Sequence, residues 1–276
     1  MGVNMKASKL HRRWQKRFRE YNAAIRNCVS ECRETGDAES IHQLRVALRR
    51  CRLLAGLASF IIGKERLGQF RRETGQLLDA LGRVRDLDIA LDWLRRHGPD
   101  EKTSKAIARR RGRLWNQARL LLDRAEPGAW ERLPDARANT GEQRRLKKRH
   151  TRLIEKLGNL RGFIADFRHL SAEQWHELRR AVRRWRYLRE LVLSRGDQQK
   201  DRLLQAVLRF QEALGGAQDR VVVETALTHL RKPRLVRRLL PAVRQERRHL
   251  TVQAHRLLEK MVRLDRHSTS KGTSIA

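Results

Sequence analysis

His42-Gln-Leu-Arg-Val-Ala-Leu-Arg-Arg-Cys-Arg-Leu-Leu54 and His176-Glu-Leu-Arg-Arg-Ala-Val-Arg-Arg-Trp-Arg-Tyr-Leu188 lie 134 residues apart and agree at eight of thirteen positions. The shared positions are the histidines, Leu44/Leu178, Arg45/Arg179, Ala47/Ala181, Arg49/Arg183, Arg50/Arg184, Arg52/Arg186 and Leu54/Leu188. At about 100° per residue, Leu44, Ala47, Leu48, Cys51 and Ala55 fall on one face of a helix, with His42, Arg45, Arg49 and Arg52 roughly opposite. The second segment sets Leu178, Ala181, Val182 and Trp185 against His176, Arg179, Arg183 and Arg186. Each reads as an amphipathic helix with an all-basic polar side.

Two further landmarks keep the same order. Leu81-Gly82-Arg-Val-Arg-Asp86 corresponds to Leu214-Gly215-Gly-Ala-Gln-Asp219 at a separation of 133, and Pro99 to Pro233 at 134. Nearly constant spacing of three landmarks indicates an internal duplication. The expected organisation is one domain of two helical repeats, 6–125 and 142–264. A Pro/Gly-broken linker at 126–141 joins them, and a frayed tail follows at 265–276. Sustained period-2 alternation is absent, so the chain reads as all-α. Helices are expected near 6–33, 38–60, 64–81, 86–97, 101–125, 142–166, 171–195, 197–214, 218–231 and 234–264. Ser40 or Asp37 is positioned to cap the second, and Ser171 with Gln174 forms a capping-box pattern. Gly82 and Gly215 read as helix ends or tight breaks, with Asp86 and Asp219 capping the next helix or pairing with arginine.

The 276 residues carry 64 Lys plus Arg against 31 Asp plus Glu, a formal charge of +33. That excess opposes compaction and attracts polyanions, which moves small neutral metabolites down the order of expected ligands. With 39% hydrophobic residues at helical spacing, the chain is no disordered basic tail. No apolar run approaches the roughly 18 residues of a membrane span, and the N-terminus lacks a secretory apolar stretch. A cytoplasmic protein with no membrane partner is expected. Cys28, Cys32 and Cys51 fit a reducing compartment and read as small buried thiols.

The basic faces carry the chemistry. Residues 42–54 hold four arginines and no acid, and residues 176–189 six arginines and one acid, Glu177. A solvated helix face usually alternates charge at i, i+4, because like charges at that spacing cost a few tenths of a kcal/mol. Guanidinium groups match phosphate oxygens in bidentate geometry, and the seven residues from Arg45 to Arg52 span about 10 Å, enough to track successive phosphates. His42 and His176, each at the head of a row, can donate N–H to phosphate.

These signatures, taken in order over about residues 6–262, resemble the CHAD family, the conserved histidine α-helical domain. The resemblance implies two antiparallel helical bundles with pseudo-twofold symmetry around a basic central cavity. It also implies binding of inorganic polyphosphate and association with polyphosphate granules, whose proteins become candidate partners. Carried over by position, the binding residues are His42, Arg45, Arg49, Arg50 and Arg52 with His176, Arg179, Arg183, Arg184 and Arg186. Arg12, Arg13, Lys16, Arg109, Arg113, Lys148, Arg152, Arg244 and Arg248 are further basic candidates on neighbouring helices. The second Asp landmark departs from the pattern, with Gln218 opposite Arg85 and Arg220 opposite Leu87. CHAD domains are often joined to a CYTH triphosphate tunnel enzyme, whose Glu-x-Glu-x-Lys motif is absent here.

A non-enzymatic polyphosphate binder, with no cofactor or metal, is therefore the leading expectation. Non-specific nucleic-acid binding is the alternative. Against it, the aromatic residues, Trp185 among them, sit at apolar helix phases that suit a core better than base stacking. For phosphoryl-transfer chemistry the sequence offers neither a GxxxxGK[ST] loop nor clustered acids.

Overall fold

The computed structural model describes residues 5–98, 101–127, 130, 138–158, 167, 170–230 and 233–270, and among these every regular element is helical. The helices are α1 (Ala7–Thr35), α2 (Ala38–Leu57), α3 (Ser59–Ile62), α4 (Lys64–Arg96), α5 (Glu101–Asp123), α6 (Thr140–Gly158), α7 (Ala172–Val192), α8 (Arg195–Lys200), α9 (Arg202–Thr228) and α10 (Pro233–Ser270).

Both caps act as anticipated. Asp37 starts α2 by accepting from Glu39 N at 2.7 Å and Ser40 N at 2.9 Å, so Asp37 and not Ser40 is the cap. Its carboxyl is held down at about 2, first by the Thr35 hydroxyl and then by the helix N–H groups. At α7, Gln174 N donates to Ser171 Oγ at 3.2 Å and Ser171 N donates to Gln174 Oε1 at 2.7 Å, closing the box.

The glycine landmarks do not break helices. α4 runs unbroken through Gly82 and α9 through Gly215 and Gly216, which replaces the expected pairs 64–81/86–97 and 197–214/218–231. A glycine inside a helix costs about 1 kcal/mol relative to alanine. Leu77, Ala80, Leu81, Val84 and Leu87, buried on both sides of Gly82, outweigh that local cost. Asp86 and Asp219 consequently lie inside helices and cap nothing. α10 continues to Ser270, past the expected tail boundary at 264. Pro99, Gly128, residues 131–137, 159–166 and 271–276 lie outside the described residues.

The chain forms two compact units that interleave in sequence. The α2 unit holds Trp14–Ala138 and Asp219–Gln245, and the α7 unit holds Met1–Arg13, Asn139–Gln218 and Glu246–Ala276. Each unit thus draws helix from both sides of the 126–141 segment. Helix length is the physical reason: α1 has 29 residues and α10 has 38, about 44 and 57 Å at 1.5 Å per residue, longer than a small domain is wide.

In the α2 unit, Trp14, Phe18 and Phe70 are fully buried together with Leu44, Leu48 and Leu54 of α2. Trp130, inside the segment read as a linker, stacks edge-on against Phe70 at 5.7 Å and donates its indole N–H to Glu73 at 2.6 Å. A second cluster joins Trp93, Ile107, Leu227 and Val243. The α7 unit has its own core of Phe167, Leu178, Val182, Trp185, Phe210 and Leu258, which places Trp185 as its phase indicates.

Candidate anion-binding rows on α2 and α7

The core phase of α2 decides where its arginines go. Burial of Ile41, Leu44, Leu48 and Cys51 leaves His42, Arg45, Arg49, Arg50 and Arg52 half-buried along its edges. Arg45 Nη1 donates to the Leu78 carbonyl of α4 at 2.5 Å. Arg52 Nη1 donates to the Arg71 carbonyl at 2.5 Å and to Thr74 Oγ1 at 2.7 Å. Carbonyls and a hydroxyl, both neutral acceptors, help to orient these guanidinium groups. Arg50 lies 5.5 Å from the centre of the Tyr21 ring, a cation–π contact.

The ionisation of the row reports its potential. The His42 ring is pushed below its ordinary value, first by burial and then by the positive charges of Arg85, Arg49 and Arg45, with Glu39 opposing. Burial and neighbouring Arg71 likewise lower Arg52, with Asp79 opposing. Clustered cations that disfavour one another's protonation form a site whose charge an anion would satisfy.

Arg85 and Arg71, both on α4, were missed as site residues. For Arg85 a signal existed: it follows Gly82 by three residues and so shares its helix face. Arg85 Nη1 reaches the Ala38 carbonyl at 3.4 Å. It also lines a cavity of about 740 Å³ in the same unit with Arg95, Arg96, Arg220, Asp88, Asp92 and Asp219. That mixed lining suits a polyanion less than the row does. Close to the Asp86 landmark, Asp88 pairs with an arginine. It is buried, with Oδ1 accepting from Arg111 Nε at 2.8 Å, while Arg111 Nη2 donates to the Gly36 carbonyl at 2.5 Å. Burial raises the Asp88 carboxyl and Arg111 opposes that shift, a structural brace between α4, α5 and the start of α2.

On α7, Arg179, Arg183 and Arg186 are half-buried, whereas His176 and Arg184 are exposed. His176 is lowered by its burial and by Arg180, Arg179 and Arg183. Here carboxylates intervene. Arg186 Nε lies 3.2 Å from Glu190, and Arg189 binds Asp201 Oδ2 through Nε at 2.9 Å and Nη2 at 2.8 Å. Arg186 also sits 4.8 Å from the Tyr187 ring.

The remaining candidates divide. Arg13 donates to the Val192 carbonyl at the end of α7, where a cation complements the helix dipole. Arg244 pairs with Glu224 at 2.9 Å. Arg12, Lys16, Arg109, Arg113, Lys148, Arg152 and Arg248 are exposed on their helices, Arg12, Lys148, Arg152 and Arg248 in the α7 unit and Lys16, Arg109 and Arg113 in the α2 unit. Cys32 is pushed up to about 11 by burial, and Cys51 is also raised by burial, so both thiols are protonated. Among the described residues, no helix is long and apolar enough to cross a membrane.

Among the described residues the regular structure is helical, and two amphipathic helices, α2 and α7, carry rows of arginine. Residues 16–228 match the sequence profile of the CHAD domain, and the chain belongs to that family. Its fold is similar to the crystal structure of the CHAD domain from the plant Ricinus communis, with a TM-score of 0.64 at 19% identity, covering 92% of this chain and 91% of that one. No curated protein matches the sequence significantly.

Proposed function

We propose that the protein binds inorganic polyphosphate without chemically altering it and that this binding associates it with polyphosphate granules in the cytoplasm. The observation that carries the reading is the α2 row, where contacts to α4 hold Arg45 and Arg52 in place on the helix edge that also carries His42 and Arg49. Polyphosphate offers no base edges, so recognition rests on the spacing of charge and on guanidinium geometry. Membership of the CHAD family supports the same partner.

The test is equilibrium binding of long-chain polyphosphate over a salt series, with duplex DNA and RNA as competitors at equal phosphate. Affinity is expected to fall steeply with salt and polyphosphate to outcompete both nucleic acids. Displacement of polyphosphate by DNA or RNA at equal phosphate would move the assignment to nucleic-acid binding. Metal-supplemented protein is expected to release no phosphate from the polymer; release would make it an enzyme.

A further inference from the structure

We infer that Gly75 and Gly82 of α4 are positioning residues: two slots one heptad apart that seat Arg52 and Arg45 and so set the geometry of the α2 row. The inference rests on the reading of that row as the polyphosphate site.

A side chain on a helix leans toward the N-terminus and covers the turn before its own Cα. Removing the side chain uncovers the carbonyl four residues earlier. Arg45 takes the Leu78 carbonyl, four residues before Gly82, and Arg52 takes the Arg71 carbonyl, four before Gly75. The two contacts are the same contact repeated after seven residues on each helix. A Cβ built on Gly82 would lie 2.7 Å from Arg45 Nη1, and one on Gly75 would lie 3.3 Å from Arg52 Nη1. The slots are therefore filled by the guanidinium groups.

The register also explains why there are two slots. Continuing the antiparallel pairing would set Gly68 opposite residue 59, beyond the end of α2 at Leu57. There Gly68 meets only Arg72 of its own helix, at 3.5 Å. Glycine at 75 and 82 thus costs helix propensity in exchange for fixed arginine placement, which reduces the ordering cost of ligand binding.

Gly82→Ala separates these effects, because it raises helix propensity while displacing Arg45. With long-chain polyphosphate as probe, its affinity should drop about tenfold, the loss of roughly one charge-assisted hydrogen bond, while its melting temperature is unchanged or higher. Gly75→Ala, with the looser contact, should lose less. Gly215→Ala in α9, where an added Cβ meets nothing within 4 Å, should bind as wild type. In an Arg45→Met background, Gly82→Ala should cause no further loss.

Wild-type affinity of Gly82→Ala alongside weakened Arg45→Met would overturn the slot inference and leave the polyphosphate reading standing. A full Gly82→Ala loss persisting without Arg45 would also overturn it. Wild-type affinity of Arg45→Met and Arg52→Met would instead remove the row from the site, and the reading with it. Should Gly82→Ala prove unstable, Gly75→Ala in wild-type and Arg52→Met backgrounds carries the same test.

Discussion

The α2 and α7 segments match in sequence but differ in what surrounds their arginines. Along α2, Arg45 and Arg52 donate to backbone carbonyls and a hydroxyl reached over glycines of α4. Along α7, Arg186 and Arg189 face Glu190 and Asp201, and Gly216 of α9 receives Leu250 of α10, whose nearest atom lies 3.1 Å from an added Cβ. Arg52 feels the Asp79 carboxylate through space, whereas Arg186 and Arg189 contact theirs directly. Equal arginine spacing is therefore set in unequal surroundings, because the partner helix decides what each guanidinium group meets.

Charge reversal gives the largest separation between the two rows. Arg45→Glu with Arg52→Glu should weaken polyphosphate binding on the order of 100-fold or more at low salt, since each removes an interaction with a charged ligand worth about 1.5–3 kcal/mol. Arg179→Glu with Arg186→Glu should cost about tenfold, because Arg186 is already paired. Both are expected to keep the wild-type helical circular dichroism. Equal losses from the two pairs would mean that the α2 and α7 rows contribute alike.

Protonation offers a second, smaller contrast. His42 titrates below its ordinary value in the free protein because of burial and then Arg85, Arg49 and Arg45, with Glu39 opposing. A bound polyanion offsets those cations and raises the ring's pKa, so binding takes up a proton. Affinity should therefore rise as pH falls through about 6.5, the ordinary value, and level off once the ring is protonated in the free protein as well. His42→Gln should flatten that rise, measured as affinity from pH 8 to 5, roughly a severalfold change. His176→Gln should flatten it less, since that ring is exposed. A pH profile unchanged by His42→Gln would separate the ring from the ligand.

Much of this was legible from residue order. The core phases of Leu44, Leu48, Leu178 and Trp185, the Asp37 cap and the Ser171 box all follow from local periodicity and short-range hydrogen bonding. The unbroken course of α4 was not legible, because the local cost of Gly82 is visible in sequence while the packing that outweighs it is tertiary. The roles of Arg71 and Thr74 depend on the α2–α4 register, which no local pattern encodes. The interleaving of the two units depends on where long helices run. One missed feature did have a local sign: Glu190 follows Arg186 by four residues, the spacing of a helical ion pair, just beyond the arginine segment taken as the row.

That pair supports the smallest effect. Glu190→Gln removes the carboxylate 3.2 Å from Arg186 Nε but keeps the side chain's shape. Asp201 is the poorer choice, because it also accepts from Leu204 N at 2.9 Å at the start of α9. Glu190 and Arg186 are both largely buried, with side-chain exposures of 14% and 19%, so screening by water removes less of their interaction than at an open surface. Freed of that carboxylate, the α7 row gains one unit of positive charge. Polyphosphate affinity at low salt should rise about threefold, a change of roughly 0.6 kcal/mol within the range of modest ion-pair effects. In the Glu190→Gln background, Arg179→Glu should then cost more than it does in the wild type, narrowing the gap between the rows. Measured by competition titration, an unchanged affinity would show that Glu190 does not limit the charge of α7, and the asymmetry would have to rest on the Arg189–Asp201 pair and the glycine slots of α4.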